Sequence, residues 1–166
     1  MKTFAVGSKL AAIAIAVFVV GCAKEPPPAP APAPIAAVAP APTSRIIPGS
    51  AEDLRVNVGD TVHFDYNEYA VLDADKATLQ RQAAWLAKFP AIKVTVEGHA
   101  DERGTREYNL ALGDKRANAA KNYLAARGID PRRISTISYG KERPLALGSD
   151  EASWAQNRRA VTIVLQ

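Results

Sequence analysis

The chain of 166 residues carries 21 lysines and arginines against 17 aspartates and glutamates, a formal net charge of +4 with a pI of about 9.3. Basic and acidic residues are interleaved, and no stripe of aromatic and basic residues is present, so the charge does not indicate a nucleic-acid-binding protein. The single cysteine excludes an intramolecular disulfide.

Residues 1–21 have the layout of a secretory signal peptide. Lys2 and Lys9 precede an apolar run over residues 10–20, which is too short to span a bilayer comfortably. Removal of this segment takes both lysines and leaves a net charge of about +2.

Cys22 follows the signal peptide directly. Val19-Val20-Gly21-Cys22 resembles the lipobox of bacterial lipoproteins, which implies cleavage before Cys22 and acylation of that residue, with palmitate among the expected chains. In such lipoproteins an aspartate after the cysteine favours the inner membrane, so Ala23 favours the outer membrane. Two or more acyl chains would hold the protein on a membrane, at about 0.8 kcal/mol per buried methylene. The alternative is a secreted protein with a free cysteine, which is a liability in an oxidising compartment.

Residues 22–48 are dominated by proline and alanine. Nine of the twelve prolines of the chain lie between Pro26 and Pro48. Proline fixes the backbone near polyproline II and removes amide donors, so we expect a semi-stiff tether of at most about 80 Å, and no core.

Residues 49–166 suit one compact domain that can bury a core without metals or disulfides. A helical turn is predicted around residues 53–56, and a first strand over Thr61–Tyr66. Leu79, Ala83 and Leu86 recur at helical spacing, which predicts a helix that ends before Pro90.

The second half of this domain continues the alternation. Residues 92–97 alternate apolar and polar side chains, as in a strand with one buried face. A helix is predicted from Arg106 to Arg127, with Leu112, Ala119 and Tyr123 facing inward and Gly128 as a left-handed cap. Strands at 134–139 and 160–165 follow, with a short helix around 150–155 between them. This order predicts an α/β (α+β) two-layer sandwich, with helices on one face of a mixed four-stranded sheet.

The stretch from Gly98 to Leu124 holds the candidate site. Asp101 lies just past a strand, and Asn109, Leu112 and Arg116 share one stripe of the next helix that faces this loop. A carboxylate and a guanidinium placed together can bind a ligand that carries both an ammonium and a carboxylate. The spacing fits a structural ion pair between Asp101 and Arg116 about equally well.

Gly113 lies inside the predicted helix, where glycine costs about 1 kcal/mol relative to alanine. We expect a backbone or a ligand to approach the helix closely at this residue.

Several motifs carry a family resemblance. Gly-His-Ala-Asp-x-x-Gly at residues 98–104, followed by Asn-x-x-Leu-Gly-x-x-Arg-Ala at residues 109–117, resembles the signature of the OmpA-like peptidoglycan-binding domain. Asp-Glu-Arg-Gly-Thr at 101–105, Ser-Tyr-Gly-Lys-Glu at 138–142 and Asn-Arg-Arg-Ala-Val at 157–161 resemble its lipoprotein branch. The resemblance covers about residues 61–165 and implies the OmpA-like β-α-β-α-β-β order.

The resemblance implies a ligand and its contacts. In the family, the residues matching Asp101 and Arg116 hold the zwitterionic end of meso-diaminopimelate in the peptide stem of peptidoglycan. Residues matching Phe64, Asp65 and Tyr66 form a neighbouring wall. The complete predicted set of peptidoglycan-binding residues is Asp101, Arg116, Phe64, Asp65, Tyr66, Arg103, Asn109 and Leu112.

The resemblance also implies partners. Domains of this branch dock onto the periplasmic protein TolB within the Tol-Pal system, which serves envelope integrity and cell division. The faces used for TolB and for peptidoglycan overlap, so the two roles compete. One alternative function is therefore a module that chiefly binds TolB.

A murein hydrolase is the other alternative. His99 and Asp101, with Ser135 or Ser138, offer the residue types of a triad, but no Gly-x-Ser-x-Gly motif is present. His99 and Asp101 also offer half of a metal site, but His63 stands alone on a strand. We predict no catalytic residue, no metal and no cofactor.

Overall fold

The structure is a computed structural model that describes residues 46–165. The predicted signal peptide, Cys22 and residues 22–45 of the predicted tether lie outside the described residues. None of the helices found between residues 46 and 165 combines the length and the apolar composition needed to cross a membrane.

Helices and strands alternate along the described chain. In order they are α1 (Ala51–Asp53), continued by a π-helical turn (Leu54–Val58), β1 (Thr61–His63), α2 (Asp73–Lys88), β2 (Lys93–His99), α3 (Arg106–Ala126), a 3-10 turn (Pro131–Arg133), β3 (Ile134–Gly140), α4 (Glu151–Asn157) and β4 (Arg159–Leu165). The predicted cap of the long helix is confirmed, because Gly128 has a φ of +92°.

The strands form one mixed sheet in the order β1-β4-β2-β3. β4 is antiparallel to β1 and to β2, and β2 is parallel to β3. α3 makes the crossover between β2 and β3, and α2 leads from β1 to β2. Both crossovers return over the same face, so the predicted two-layer arrangement is confirmed.

The predicted strand over Thr61–Tyr66 is wrong in its second half. β1 pairs with β4 only through Thr61, Val62 and His63. The backbone N–H of Phe64 then donates to the carbonyl of Arg158 at 2.9 Å, and Asn67 turns the chain with a φ of +58°. Aromatic composition favoured a strand here, but these residues leave the sheet and form a wall of the candidate site.

The core lies between the sheet and helices α2 and α3. Val94 and Val96 on β2 are fully buried, as the predicted alternation requires, and Leu79 and Leu86 of α2 pack on the same cluster. Other members of this cluster include Leu54, Val62, Phe64, Trp85, Ala117, Ala120, Leu124, Ile129 and Ile134.

The inward face of α3 differs from the prediction. Leu112 is buried as predicted, but Ala119 and Tyr123 are only half-buried. Tyr123 lies at the edge of the helix pair, where its hydroxyl accepts from Gln80 of α2 at 3.3 Å. The buried stripe of α3 includes the small residues Gly113, Ala117 and Ala120, which allow a close approach to the sheet. Its members are Asn109, Leu112, Gly113, Arg116, Ala117, Ala120 and Leu124.

Two glycines mark the closest approach of α3 to β2. A Cβ atom added at Gly98 would lie 1.8 Å from the carbonyl oxygen of Gly113. A Cβ atom at Gly113 would lie 2.3 Å from the hydroxyl of Ser138 and 2.9 Å from the carbonyl oxygen of Gly98. Helix and strand therefore touch through their backbones, which confirms the close approach expected at Gly113.

His99 is the last residue of β2 and is 2% exposed. Its ring lies 5.6 Å from the ring of Tyr139, and its Nε2 lies 3.8 Å from a carboxylate oxygen of Glu97. Burial, together with the positive charges of Arg159 and Arg143, lowers the pKa of His99 to about 4. His99 is therefore neutral in the folded protein at neutral and mildly acidic pH.

This shift makes folding stability depend on pH. Below pH 6.5 the unfolded chain binds a proton at this histidine, while the folded protein does so only near pH 4. We expect the free energy of unfolding to fall as the pH is lowered through this interval, by up to roughly 3 kcal/mol. Urea unfolding of the wild type and of His99→Gln, at intervals of half a pH unit, measures this slope of the free energy of unfolding against pH.

The slope should be much smaller in His99→Gln. The matched control is His63→Gln at the other histidine, whose side chain is exposed, and there the slope should persist. An equal slope in all three proteins would contradict the assignment to His99.

Candidate functional site

The loop between β2 and α3 carries a carboxylate that is almost closed off from solvent. Asp101 is 5% exposed. Its oxygens accept from the guanidinium of Arg103, at 3.1 Å for Nε to Oδ1 and 2.6 Å for Nη2 to Oδ2. The backbone N–H of Arg103 also donates to Oδ1, at 3.1 Å, so the carboxylate accepts three hydrogen bonds from this residue. Arg103 and Asp101 thus form a two-bond, charge-assisted pair.

Arg103 is also held between two aromatic rings. Its Cζ lies 4.1 Å from the ring centroid of Tyr66 and 4.0 Å from that of Trp154. Its Nη1 lies 3.8 Å from a carboxylate oxygen of Glu151. Stacking of this kind fixes a planar guanidinium in one place.

The first turn of α3 supports the loop. The side-chain amide of Asn109 donates to the carbonyl of Arg103 at 2.8 Å. The hydroxyl of Thr105 accepts from the backbone N–H of Tyr108 at 3.2 Å and caps the helix. Asn109 thus braces the loop that carries Asp101, and it also lines a small cavity beside that loop.

Arg116 lies on α3 about two turns after Asn109 and is fully buried. Its Nε donates to the carbonyl of Glu68 at 2.9 Å, its Nη1 to that of His99 at 2.9 Å and its Nη2 to that of Asp65 at 3.0 Å. Within the described residues, these bonds use three of the five N–H groups of the guanidinium. Arg116 therefore ties α3 to the end of β2 and to the segment after β1.

Asp101 and Arg116 are close enough to influence each other, but they are not a direct ion pair. Among residues 46–165, the cations within 4.0 Å of the Asp101 carboxylate are Arg103 and Arg158. Burial lowers the pKa of Arg116 to about 10, although the charge of Asp101 opposes this shift. The alternative of a structural Asp101–Arg116 ion pair is wrong, since Arg103 occupies that role.

The predicted wall contributes in three different ways. Phe64 is buried in the core, with its ring centroid 5.3 Å from the Cζ of Arg116. Asp65 acts through its carbonyl, which accepts from Arg116, while its side chain is exposed. Tyr66 is 60% exposed and covers one face of Arg103. Of the three, only Tyr66 presents its side chain to the cavity.

A cavity of about 60 Å³ lies between the loop, the wall and α3. This volume has room for only a few water molecules. Five of the eight predicted residues line it, while Arg116, Phe64 and Asp65 do not. The lining residues are Tyr66, Asn67, Asp101, Arg103, Gly104, Tyr108, Asn109 and Leu112.

Arg158 is the contact that sequence reasoning missed. It is 6% exposed, and its Nη1 lies 3.7 Å from Asp101. Its Nε donates to the carbonyl of Phe64 at 3.0 Å and its Nη2 to Glu151 at 2.7 Å. The only available signal was the Asn-Arg-Arg-Ala-Val motif, which does not reveal that the arginine faces a loop more than fifty residues earlier.

The charges keep Asp101 ionised. Burial alone would raise the pKa of Asp101, but the hydrogen bonds and charge of Arg103, with the charge of Arg158, bring it below its usual value of 3.8. An ionised carboxylate beside two arginines can bind a ligand ammonium, and the arginines can bind its carboxylate.

Within residues 46–165, no hydrogen bond joins the residues offered for catalysis to one another. The hydroxyl of Ser138 donates to the carbonyl of Leu110 at 2.7 Å. Neither ring nitrogen of His99 makes a hydrogen bond within the described part of the chain. Residues 46–165 contain no group of three metal-binding side chains.

Comparisons with known proteins identify relatives of this chain. The family model of the OmpA family matches residues 63–158. The peptidoglycan-associated lipoprotein of Rhizobium meliloti (strain 1021) is 47% identical over 164 residues, covering 99% of this chain and 91% of the relative. The protein of the same name from Agrobacterium fabrum is 55% identical over 117 residues, covering 70% of this chain and 66% of the relative.

Solved structures show the same fold. The crystal structure of the peptidoglycan-associated lipoprotein from Burkholderia pseudomallei is 47% identical, with a TM-score of 0.63, and the match covers 64% of this chain and 90% of that one. The C-terminal domain of Helicobacter pylori MotB is 22% identical with a TM-score of 0.60, covering 64% of this chain and 84% of that one, which is a likeness of fold alone.

The family model spans more than half of the chain, and the Rhizobium relative matches over nearly its whole length, so this protein belongs to the OmpA family and, within it, to the peptidoglycan-associated lipoproteins.

Proposed function

We propose that this protein is a lipoprotein of the outer membrane that binds the diaminopimelate-containing stem peptide of peptidoglycan without covalent linkage. Its domain faces the periplasm, and the Pro/Ala tether after an acylated Cys22 spans the distance to the membrane. It acts in the Tol-Pal system with TolB, in envelope integrity and cell division, and it performs no catalysis. The names of the relatives support association with peptidoglycan.

The observation that carries the proposal is the charge arrangement around Asp101. A buried, ionised carboxylate faces a cavity and lies within 4.0 Å of two arginines. The guanidinium of Arg116 does not line the cavity, but it bonds to the carbonyls that precede Tyr66 and Ala100, and its charge interacts with that of Asp101. The free end of meso-diaminopimelate carries one ammonium and one carboxylate, and this arrangement offers the opposite charge to each.

Exposed apolar residues beside the site support the proposal that TolB is a second partner. Leu145 and Leu147 are 63% and 87% exposed. Leu147 lines a hollow of about 90 Å³ that also contains Glu102, a residue of the Asp101 loop. Exposed apolar side chains beside a ligand site are a common feature of protein interfaces. We propose that TolB contacts this rim.

Asp101→Asn should weaken binding to the cell wall while the domain stays folded. The amide has the same size but cannot attract an ammonium, so we expect the affinity for isolated peptidoglycan sacculi to fall at least about tenfold. Co-sedimentation of the full-length protein with sacculi measures this loss. Arg116 is a less suitable position, because its removal leaves three carbonyls, one of them buried, without this donor.

The matched control for this experiment is Asp130→Asn. That carboxylate lies next to Arg132, at 2.7 Å, and does not line the cavity. It should bind sacculi like the wild type. Unchanged retention by a folded Asp101→Asn protein would show that the site is wrongly assigned.

The full-length protein should prefer a stem peptide with meso-diaminopimelate to the same peptide with lysine. Lysine lacks the second carboxylate, so its complex loses the charge-assisted bonds to an arginine. We expect a preference of about tenfold or more. Isothermal calorimetry with both peptides gives the ratio, and equal affinities would refute recognition of the zwitterionic end.

Cys22→Ser should release the protein from the membrane. Without a thiol no acyl chain can be attached, and the signal peptide alone does not keep a mature protein bound. We expect labelling with radioactive palmitate in the wild type and none in the variant, which should fractionate with soluble periplasmic proteins.

The control for the anchor is Ala23→Asp. It should keep the label but shift the protein from the outer to the inner membrane. Membrane association of an unlabelled Cys22→Ser protein would exclude the lipid anchor.

A further inference from the structure

Arg103 occupies the position that a ligand ammonium needs. Oδ1 of Asp101 accepts two N–H groups of Arg103, Oδ2 accepts a third, and Nη1 of Arg158 lies 3.7 Å from Oδ2. A carboxylate offers about four lone-pair positions. Asp101 is also nearly inaccessible to solvent. The ammonium of a ligand therefore cannot reach Asp101 unless the side chain of Arg103 moves.

The size of the cavity leads to the same conclusion. Its volume of about 60 Å³ accommodates a few waters, whereas the end of a diamino acid brings an ammonium, a carboxylate and the carbon between them. Arg103 forms part of the lining, and its side chain is 29% exposed. Displacement of this one partly exposed side chain would enlarge the cavity beside Asp101 without unfolding any element.

The local charges determine which ligand can displace Arg103. In the ion pairs of the site, Arg103 and Arg158 balance Asp101 and Glu151. A ligand with only an ammonium would add an excess positive charge and leave the guanidinium of Arg103 without its carboxylate. A zwitterion replaces the lost partner, because its own carboxylate can pair with the released guanidinium.

We propose that Arg103 is a specificity-determining residue that acts by cation exchange: it pairs with Asp101 in the free domain, and only a ligand offering an ammonium together with a carboxylate displaces it. This inference rests on the proposed function, since it concerns the same ligand. It goes further, because Arg103 first competes with the ligand ammonium for Asp101 and contacts the ligand only after it has been displaced.

The exchange predicts opposite effects of Arg103→Ala on two ligands. The lysine-containing stem peptide should bind about tenfold more tightly to the variant than to the wild type, because no guanidinium must be displaced. The diaminopimelate peptide should bind equally well or more weakly, because its carboxylate loses a partner. The ratio of the two affinities, measured by calorimetry on the full-length protein, should therefore fall about tenfold.

A spectroscopic signal reports the movement itself. Trp85 and Trp154 are the two tryptophans of the chain, so Trp85→Phe leaves Trp154, which stacks on Arg103, as the sole emitter. Binding of the diaminopimelate peptide should change the emission of Trp154 in this background, and the change should largely disappear once Arg103→Ala is added. Circular dichroism checks that both proteins are folded.

The matched control is Arg106→Ala, in the first turn of α3. Arg106 lies 3.4 Å from Glu142 and does not contact Asp101, so both affinities should be unchanged. Equal weakening of both peptides by Arg103→Ala, or binding without a change in Trp154 emission, would overturn the exchange and leave the proposed function intact. Failure of the wild type to bind either peptide would overturn both.

Discussion

The buried guanidinium of Arg116 is the interaction on which the site depends. Removing a charge from water is costly unless its donors find partners. Here the partners are carbonyls of Asp65, Glu68 and His99, from two segments that are distant in sequence. Because one rigid side chain binds both segments, α3 is fixed against the wall and the end of β2 at once. The pKa of about 10 keeps Arg116 charged at neutral pH, so this arrangement persists under physiological conditions.

Much of the fold follows from local patterns in the sequence. The spacing of Leu79, Ala83 and Leu86 predicted α2, the alternation over residues 92–97 predicted β2, and Gly128 marked the end of α3. These features depend on the period of a helix or strand and on backbone conformation, which neighbouring residues determine. The failures depend on tertiary contacts. The segment after His63 has the composition of a strand, but it leaves the sheet where Arg158 and Arg116 bind its carbonyls.

The site was predictable in its composition but not in its pairing. Helical spacing placed Asn109, Leu112 and Arg116 on one stripe, and the structure confirms that they share the buried face of α3. Spacing cannot show which arginine reaches a given carboxylate, because this depends on the direction of loop side chains. The backbone N–H of Arg103 bonds to Asp101 two residues earlier, and this local turn directs the Arg103 side chain back onto the same carboxylate. Arg158 reaches Asp101 because the start of β4 lies beside the end of β2 in the folded sheet, where Ala160 pairs with Gly98.

The three arginines around Asp101 differ in how freely they can move, and this difference gives the site its chemistry. Arg116 and Arg158 are buried and bind backbone carbonyls, so their charges are part of the fold. Arg103 is partly exposed, and apart from its bonds to Asp101 it is held mainly by stacking on Tyr66 and Trp154. Stacking on partly exposed rings is worth about 1 kcal/mol or less per contact, well below the cost of removing a buried ion from its partners. A ligand cation can therefore displace Arg103 but neither of the others, and the released guanidinium of Arg103 then selects a ligand with a carboxylate of its own.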